Sequence, residues 1–338
     1  MQATSEQRQA MISIWFLFVG ALLLLQEVPI ATATYSIVST DATTRQVGGA
    51  GATCLPDRDV FEALYLSVPN RSVLHTQGWL LPKDDPIILT ALDMMQQTKD
   101  ESVDDILDKM LEMDDKKYAL KSGEVYVGRD MRQYGIADFD HHNAHTGSKL
   151  TELWEKLPPL YYDGATITGN EETDQGGQLF GNSSYVFHAM GNVVKLGTVD
   201  AMANAFQNSE NNDNYDYEVL CDMAGKLMAA LESVSSKGLG DVRCLDDDES
   251  GYSATGAYLH VDNADGTERI HINVISDGTE EEPVEGVKRV FLEWRKDHSC
   301  EDMVTSGAST RGRWMTRSSV SSAVLLPAIC GLLSMWIL

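Results

Sequence analysis

Cationic side chains are scarce in this chain. It carries 26 Lys and Arg against 51 Asp and Glu over 338 residues, a formal net charge of −25. A surface of that sign repels phosphate backbones, which sets nucleic acid aside as a partner. Cysteines number five, and none form a C-x-x-C pair, so the thiolate spacing of a structural zinc site is missing. The phosphate-loop pattern G-x-x-x-x-G-K-[ST] does not occur, which leaves a nucleotide enzyme of that type unsupported. The stretch "GYSATG" fails as a G-x-S-x-G nucleophile elbow because its second glycine comes one residue late. Neither an internal repeat nor a Gly/Ser/Pro linker divides the body, so one domain is expected. Disorder is excluded on composition, since 43% of residues are hydrophobic.

Both ends are greasy. A polar stretch with Arg8 precedes the apolar run Ile14 to Leu25, which is too short for a comfortable bilayer span. The small-x-small pattern Ala31-Thr32-Ala33 follows it. Together these read as a secretory signal peptide over residues 1–33, cleaved before Thr34. At the other end, Ala323 to Leu338 is hydrophobic to the last residue and is interrupted by Pro327. Upstream lie a polar spacer over residues 298–322 and the small residues Ser306, Gly307, Ala308 and Ser309. These are the parts of a GPI-attachment signal, with a short membrane anchor as the alternative. The expected location is the extracellular face of the cell membrane, reached by the secretory pathway.

Cysteine usage suits that route. Cys54, Cys221, Cys244 and Cys300 are disulfide candidates in three open connectivities. Asn70 and Asn182 each open a glycosylation acceptor tripeptide.

The body alternates strand and helix signals. "TYSIVST" reads as a strand, "DATTR" as a turn, and "QVGGAGAT" as a strand whose glycines leave room for a close approach. "DPIILTALDMMQQT" and "ESVDDILDKMLEMD" read as helices, the second opened by the capping pair Ser102 and Asp105. "RQYGIADF" and "NAHTGSKL" form a strand pair. A further helix is expected from about Tyr217 to Lys237. "GYSATGAYLHV" and "ERIHINVIS" bracket the hairpin turn "DNADG", and "EEPVEGVKRVFLEWRKD" closes the body as a helix. The order gives an α+β class with helices packed on sheets.

That order of segments resembles a bacterial family known as domain of unknown function 1028. The likeness rests on "TYSIVSTDATTRQVGGAGAT", "ESVDDILDKMLEMD", "RQYGIADFDHHNAHTG", "MGNVVKLGTVDAMANAF", "GLGDVR" and "INVISDGTEEEPVEGVKRVFLEW", all in sequence order over residues 34–294. The acidic stretches "NSENNDNYDY" and "LDDDES" and the "LPDRDVFEALYLSVPN" region depart from it. The resemblance implies an Ntn-hydrolase-like fold over residues 34–297, a four-layer αββα sandwich whose nucleophile is the first residue of the mature chain.

Here that residue is Thr34. A free α-amine titrates at about 7.7–8.0, so it can take the proton of its own residue's hydroxyl near neutrality. Cleavage after Ala33 would liberate that amine. The resemblance therefore implies an amide hydrolase acting on a small amide or peptide, with Thr34 as nucleophile and base and no metal or organic cofactor. Asn192 is a candidate oxyanion donor, Asp41 a candidate orienting group, and Asp241 with Arg243 a candidate substrate-carboxylate site. The alternative is a catalytically silent binding or coat protein on the same fold. The cluster Asp138, Asp140, His141, His142 and His145 invites a metal reading, but His141 and His142 fall in an exposed turn and their side chains need not converge. Oligomeric state is not legible.

Overall fold

Strand β2 (Thr34–Asp41) is buried along its whole length, and so is β3 (Val47–Thr53). A strand buried on both faces needs cover on both sides of its sheet, and the rest of the fold supplies it. The computed structural model describes residues 31–32, 34–55, 59–97, 102–115, 117–119, 125–130, 132–138, 143–148, 171–179, 185–209, 221–245, 252–276 and 281–298. The expected signal segment up to residue 30, Ala33, Asn182, Cys300 and the C-terminal spacer and tail lie outside the described residues. No helix among the described residues is long and apolar enough to cross a membrane.

The strands in chain order are β1 (Ala31–Thr32), β2, β3, β4 (Tyr65–Val68), β5 (Ser72–Trp79), β6 (Lys117–Ala119), β7 (Val125–Val127), β8 (Arg132–Asp138), β9 (Asn143–Ser148), β10 (Glu171–Leu179), β11 (Tyr185–Val194), β12 (Gly256–Asp262) and β13 (Glu268–Ile275). The helices are α1 (Val60–Leu64), α2 (Pro86–Gln97), α3 (Val103–Met113), α4 (Thr198–Gln207), α5 (Met223–Ser235), α6 (Val242–Leu245) and α7 (Pro283–Asp297).

Six strands form one antiparallel sheet in the order β10-β11-β2-β3-β12-β13. A second has the order β1-β5-β8-β9, with β4 also paired to β5. Strands β4 and β1 lie end to end along one edge of β5, because β4 pairs with Ser72 to His75 and β1 with Gly78 and Trp79. The outer face of the six-stranded sheet packs Tyr35, Ile37, Phe187 and Leu259 against α4, α5 and α7. The second sheet turns Leu74, Tyr134 and Ile136 toward α2 and α3. Between the sheets lie Val38, Val73, Ala137, Val186 and Tyr258, with α1 at the side.

Local signals account for most elements. Ser102 caps α3 through the box with Asp105, as the sequence implies. Helix α5 begins at Met223, later than the expected Tyr217, because the Asp222 carboxylate accepts from the Gly225 backbone N–H and fixes the first turn there. That same carboxylate is buried and takes Arg295 and Arg269, tying α5 to α7 and β13. Burial alone would raise its pKa, but these donors hold it below the ordinary value. The stretch "LPDRDVFEALYLSVPN", which matches no expected element, becomes α1 and β4.

One glycine is fixed by the facing sheet. A Cβ on Gly49 would stand 2.5 Å from His75 Nε2, so the glycine-rich β3 lets the two sheets close over a buried imidazole. His75 is wholly buried and its Nε2 meets the Tyr258 hydroxyl. Burial pushes the His75 pKa down to about 3. In the unfolded chain the ring binds a proton below about pH 6.5. Stability from this group is therefore complete above that pH and is lost as pH falls toward 3, at about 1.4 kcal/mol per unit. Urea unfolding between pH 7 and 4 should show this slope in the wild type and a slope shallower by that amount in His75→Gln. Gly49→Ala should cost about 1–3 kcal/mol by overpacking at the same contact, read in the same titration at pH 7.

Candidate functional site

Alternation along β2 sends Tyr35 and Ile37 to the helix-covered core and Thr34, Ser36 and Val38 toward the facing sheet. Thr34 is the first residue of that strand and sits between two register partners, Asn192 on β11 and Thr53 on β3. Its side chain is buried, and its hydroxyl makes only a long contact with Thr53 Oγ1, 3.4 Å. Such a contact is weak for two hydroxyls, so Oγ1 is not committed to a structural bond. Beside it is a small apolar cavity. Leu55, Val60, Ala63, Leu64 and Leu80 line the rest. Helix α1 thus forms an apolar wall over the residue.

A buried polar chain runs from Ser36 across the inter-sheet space. Ser36 Oγ donates to Gln77 Oε1 (2.9 Å), Gln77 Nε2 donates to Gln133 Oε1, and Asn192 Nδ2 donates to the same oxygen at 3.4 Å. All four side chains have no exposed surface. Among the described residues, Asn192 Oδ1 has no hydrogen-bond partner. An unpaired buried amide oxygen costs about 1–3 kcal/mol unless something supplies a donor. Placed one strand from Thr34, it is a polar group available to a ligand or water.

The chain reaches Thr34 from the other sheet. Ala31 and Thr32 pair with Trp79 and Gly78 on the edge of β5, and Thr34 then starts the six-stranded sheet. The chain therefore passes from one sheet to the other between Thr32 and Thr34.

The other expected site residues separate into distinct places. Asn192 stands beside Thr34, within β11 and not in a turn. Asp41 does not: it ends β2 at the far end, seven residues or about 23 Å along the strand. There it accepts from Thr43 N–H (2.9 Å) and Thr44 Oγ1 (2.7 Å), which makes it a turn residue and corrects the orienting role. Asp241 and Arg243 pair through two contacts, Nε to Oδ1 at 2.9 Å and Nη2 to Oδ2 at 2.6 Å. Asp241 also accepts the Cys54 backbone N–H at 2.9 Å, so it braces the residue after Thr53. Cys54 and Cys244 form a disulfide at the same place. Cys221 is disulfide-bonded as well, to a partner outside the described residues. Asn70 is exposed in the β4–β5 turn with φ +65°, its Oδ1 accepting from Arg45 Nε. Of the histidine-rich turn, Asp138 pairs with Arg71 at 3.3 Å, and residues 139–142 lie outside the described residues.

Gln77, Gln133 and Ser36 were not singled out from the sequence. Their signal was a polar residue on one alternating face of its strand: Ser36 with Thr34, Gln77 with His75, and Gln133 with Gly135 and Ala137. It becomes meaningful only once β5 and β8 are known to face β2.

No family model matches the chain, and no curated protein matches it either. Among solved structures it is similar to the crystal structure of protein SPO2555 from Silicibacter pomeroyi, of the family model DUF1028. The two chains share 17% identity over 77% of this chain and 88% of that one, with a TM-score of 0.47. The resemblance read from the sequence thus recurs there, and nothing about the site is taken from it.

The Cys54–Cys244 bridge closes a separation of 190 residues next to Thr53. The double variant Cys54→Ser/Cys244→Ser should lose about 2–5 kcal/mol of unfolding free energy, measured by urea titration under oxidising conditions.

Proposed function

We propose that this chain is an N-terminal-nucleophile amide hydrolase whose catalyst is Thr34, exposed by removal of residues 1–33. The single observation that carries the reading is the position of Thr34. It is the first residue of a central strand, its side chain faces a second sheet, and its hydroxyl is not held by a short hydrogen bond. Two packed antiparallel sheets with helices on their outer faces support the four-layer αββα sandwich that this mechanism uses.

In the mature chain the Thr34 amine would lie at the inter-sheet end that β1 now reaches. It would take the Oγ1 proton, directly or through one water. Oγ1 would attack the substrate carbonyl carbon, forming an ester to the acyl group. The protonated amine would hand its proton to the departing nitrogen. Water would then cleave the ester, release the acid and restore the hydroxyl. Asn192 Nδ2, in register with Thr34 on the neighbouring strand, is the candidate donor for the oxyanion. Loss of β1 would free the Gly78–Trp79 edge of β5 beside the nucleophile, which gives an extended amide substrate a backbone ladder to join.

The same reading places the protein outside the cytosol, glycosylated at Asn70 and Asn182 and held at the membrane by its C-terminal segment. The disulfide and the exposure of Asn70 support that placement. A silent binding protein is the rival, and the unpaired Asn192 oxygen argues for a ligand in either case.

N-terminal sequencing of the protein made by a secreting cell should give Thr34-Tyr35-Ser36 with an open amine. A chain beginning at any other residue, or a blocked one, removes the mechanism. Against a panel of amide substrates, Thr34→Ala should abolish turnover and Thr34→Ser should retain part of it. Asn192→Ala should lower kcat by about 10²–10³-fold.

A further inference from the structure

Strands β12 and β13 hold a side-chain cluster with no part in the reaction above. His260 and His271 are directly opposed in the ladder, and Leu259 and Val261 on either side of His260 point to the helix-covered core. The two imidazoles therefore share the other face. Their Nδ1 atoms stand 3.0 Å apart. His260 Nε2 bonds Asp262 Oδ1 at 2.9 Å, and Asp262 Oδ2 accepts from Ser67 Oγ (2.7 Å) and the Tyr65 hydroxyl (3.1 Å). The Asp262 carboxylate engages His260 at Nε2, which leaves its Nδ1 turned toward His271.

Regular pairing would place Glu268 on the wrong face. After Val261 pairs with Ile270, Asp262 pairs with Glu268, so Arg269 is an extra residue on β13. This bulge turns Arg269 to the helix side, where its Nη2 donates to Asp222, and brings Glu268 onto the face of the imidazoles. A Glu268 oxygen and ring nitrogens of His260 and His271 then all lie within 4.8 Å of one another. Phe61 packs on both rings, 4.7 and 4.4 Å between centroids, and limits their rotation.

We propose that His260 Nδ1, His271 Nδ1 and the Glu268 carboxylate bind a divalent transition-metal ion of the zinc type. Two imidazoles and one carboxylate make a donor set for zinc and not for magnesium or calcium, which ask for oxygen shells. The Asp262 contact to His260 is the carboxylate–histidine arrangement that orients a ligand ring and raises its basicity. Three protein ligands leave a fourth position for water. The site is separate from Thr34: α1 spans the two, with Phe61 on the imidazoles and Val60, Ala63 and Leu64 on the nucleophile's cavity. Bound metal would fix the rings on which α1 rests.

The test is calorimetric titration of Zn²⁺ into the oxidised, metal-stripped full chain. The expected result is one ion per chain, with Asp262→Asn weakening the affinity by about 10–100-fold. His271→Ala and Glu268→Gln should each lose affinity by at least about tenfold; both residues are exposed, so their replacement leaves the core packed. Circular dichroism on each variant checks the fold. X-ray absorption of the loaded wild type should find two imidazole nitrogens at about 2.0–2.1 Å. A wild type that takes up no zinc overturns the proposal. So does binding that survives both His271→Ala and Glu268→Gln, since it then belongs to other groups.

Discussion

Two sheets can pack face to face only if what lies between them is satisfied, and here that layer is mixed. One part is apolar, with Val38, Val73, Ala137 and Val186 interlocking. The other is a run of amides, hydroxyls and imidazoles: Ser36, Gln77, Gln133, Asn192, His75, His188 and Tyr258. Buried polar groups in a low-dielectric layer are stable only when bonded to one another. The register of both sheets has to bring these particular side chains into contact. A slip by one residue in β2, β5 or β8 would exchange the whole polar set for residues meant to face helices. The position of Thr34 follows from this constraint, because its side chain is on the same face as Ser36.

The glycines of β3 serve the same layer from the other side. Sheets usually stack about 10 Å apart, and a wholly buried histidine between them needs a neighbour without a side chain. Gly49 provides it. The cost is a neutral imidazole that resists protonation, which makes the layer sensitive to acid without making it a switch at neutral pH. The bulge on β13 solves the opposite problem. It separates Arg269 from Glu268 so that one serves the buried Asp222 while the other reaches the histidine pair.

Much of the fold was legible in the residue pattern. Strands β2, β3, β8, β9, β12 and β13 and helices α2, α3 and α7 carry strong local signals: alternation, the Ser102 box, a proline at a first turn, and a turn at "DNADG". What escaped was set by distant contacts. Strand β4 and helix α1 lie in a segment with mixed periodicity, and they become ordered by packing against β5 and β12. Asn192 could be named beforehand because it stands in a distinctive stretch, but its place inside a strand beside Thr34 depends on β11 pairing with β2. Asp41 was misplaced for a simple reason: proximity in sequence to Thr34 means distance in an extended strand. The histidine pair was invisible because alternation assigns Glu268 to the opposite face, and no residue type announces a bulge.

The middle of the six-stranded sheet is made first and finished last. Strands β2 and β3 are the earliest of its members in the chain, yet their outer neighbours β11 and β12 come from residues 185–194 and 256–262. On a ribosome, those first two strands would wait as an unpartnered hairpin until most of the chain had been synthesised. Long-range pairing of this kind is slow to form and leaves strand edges open meanwhile.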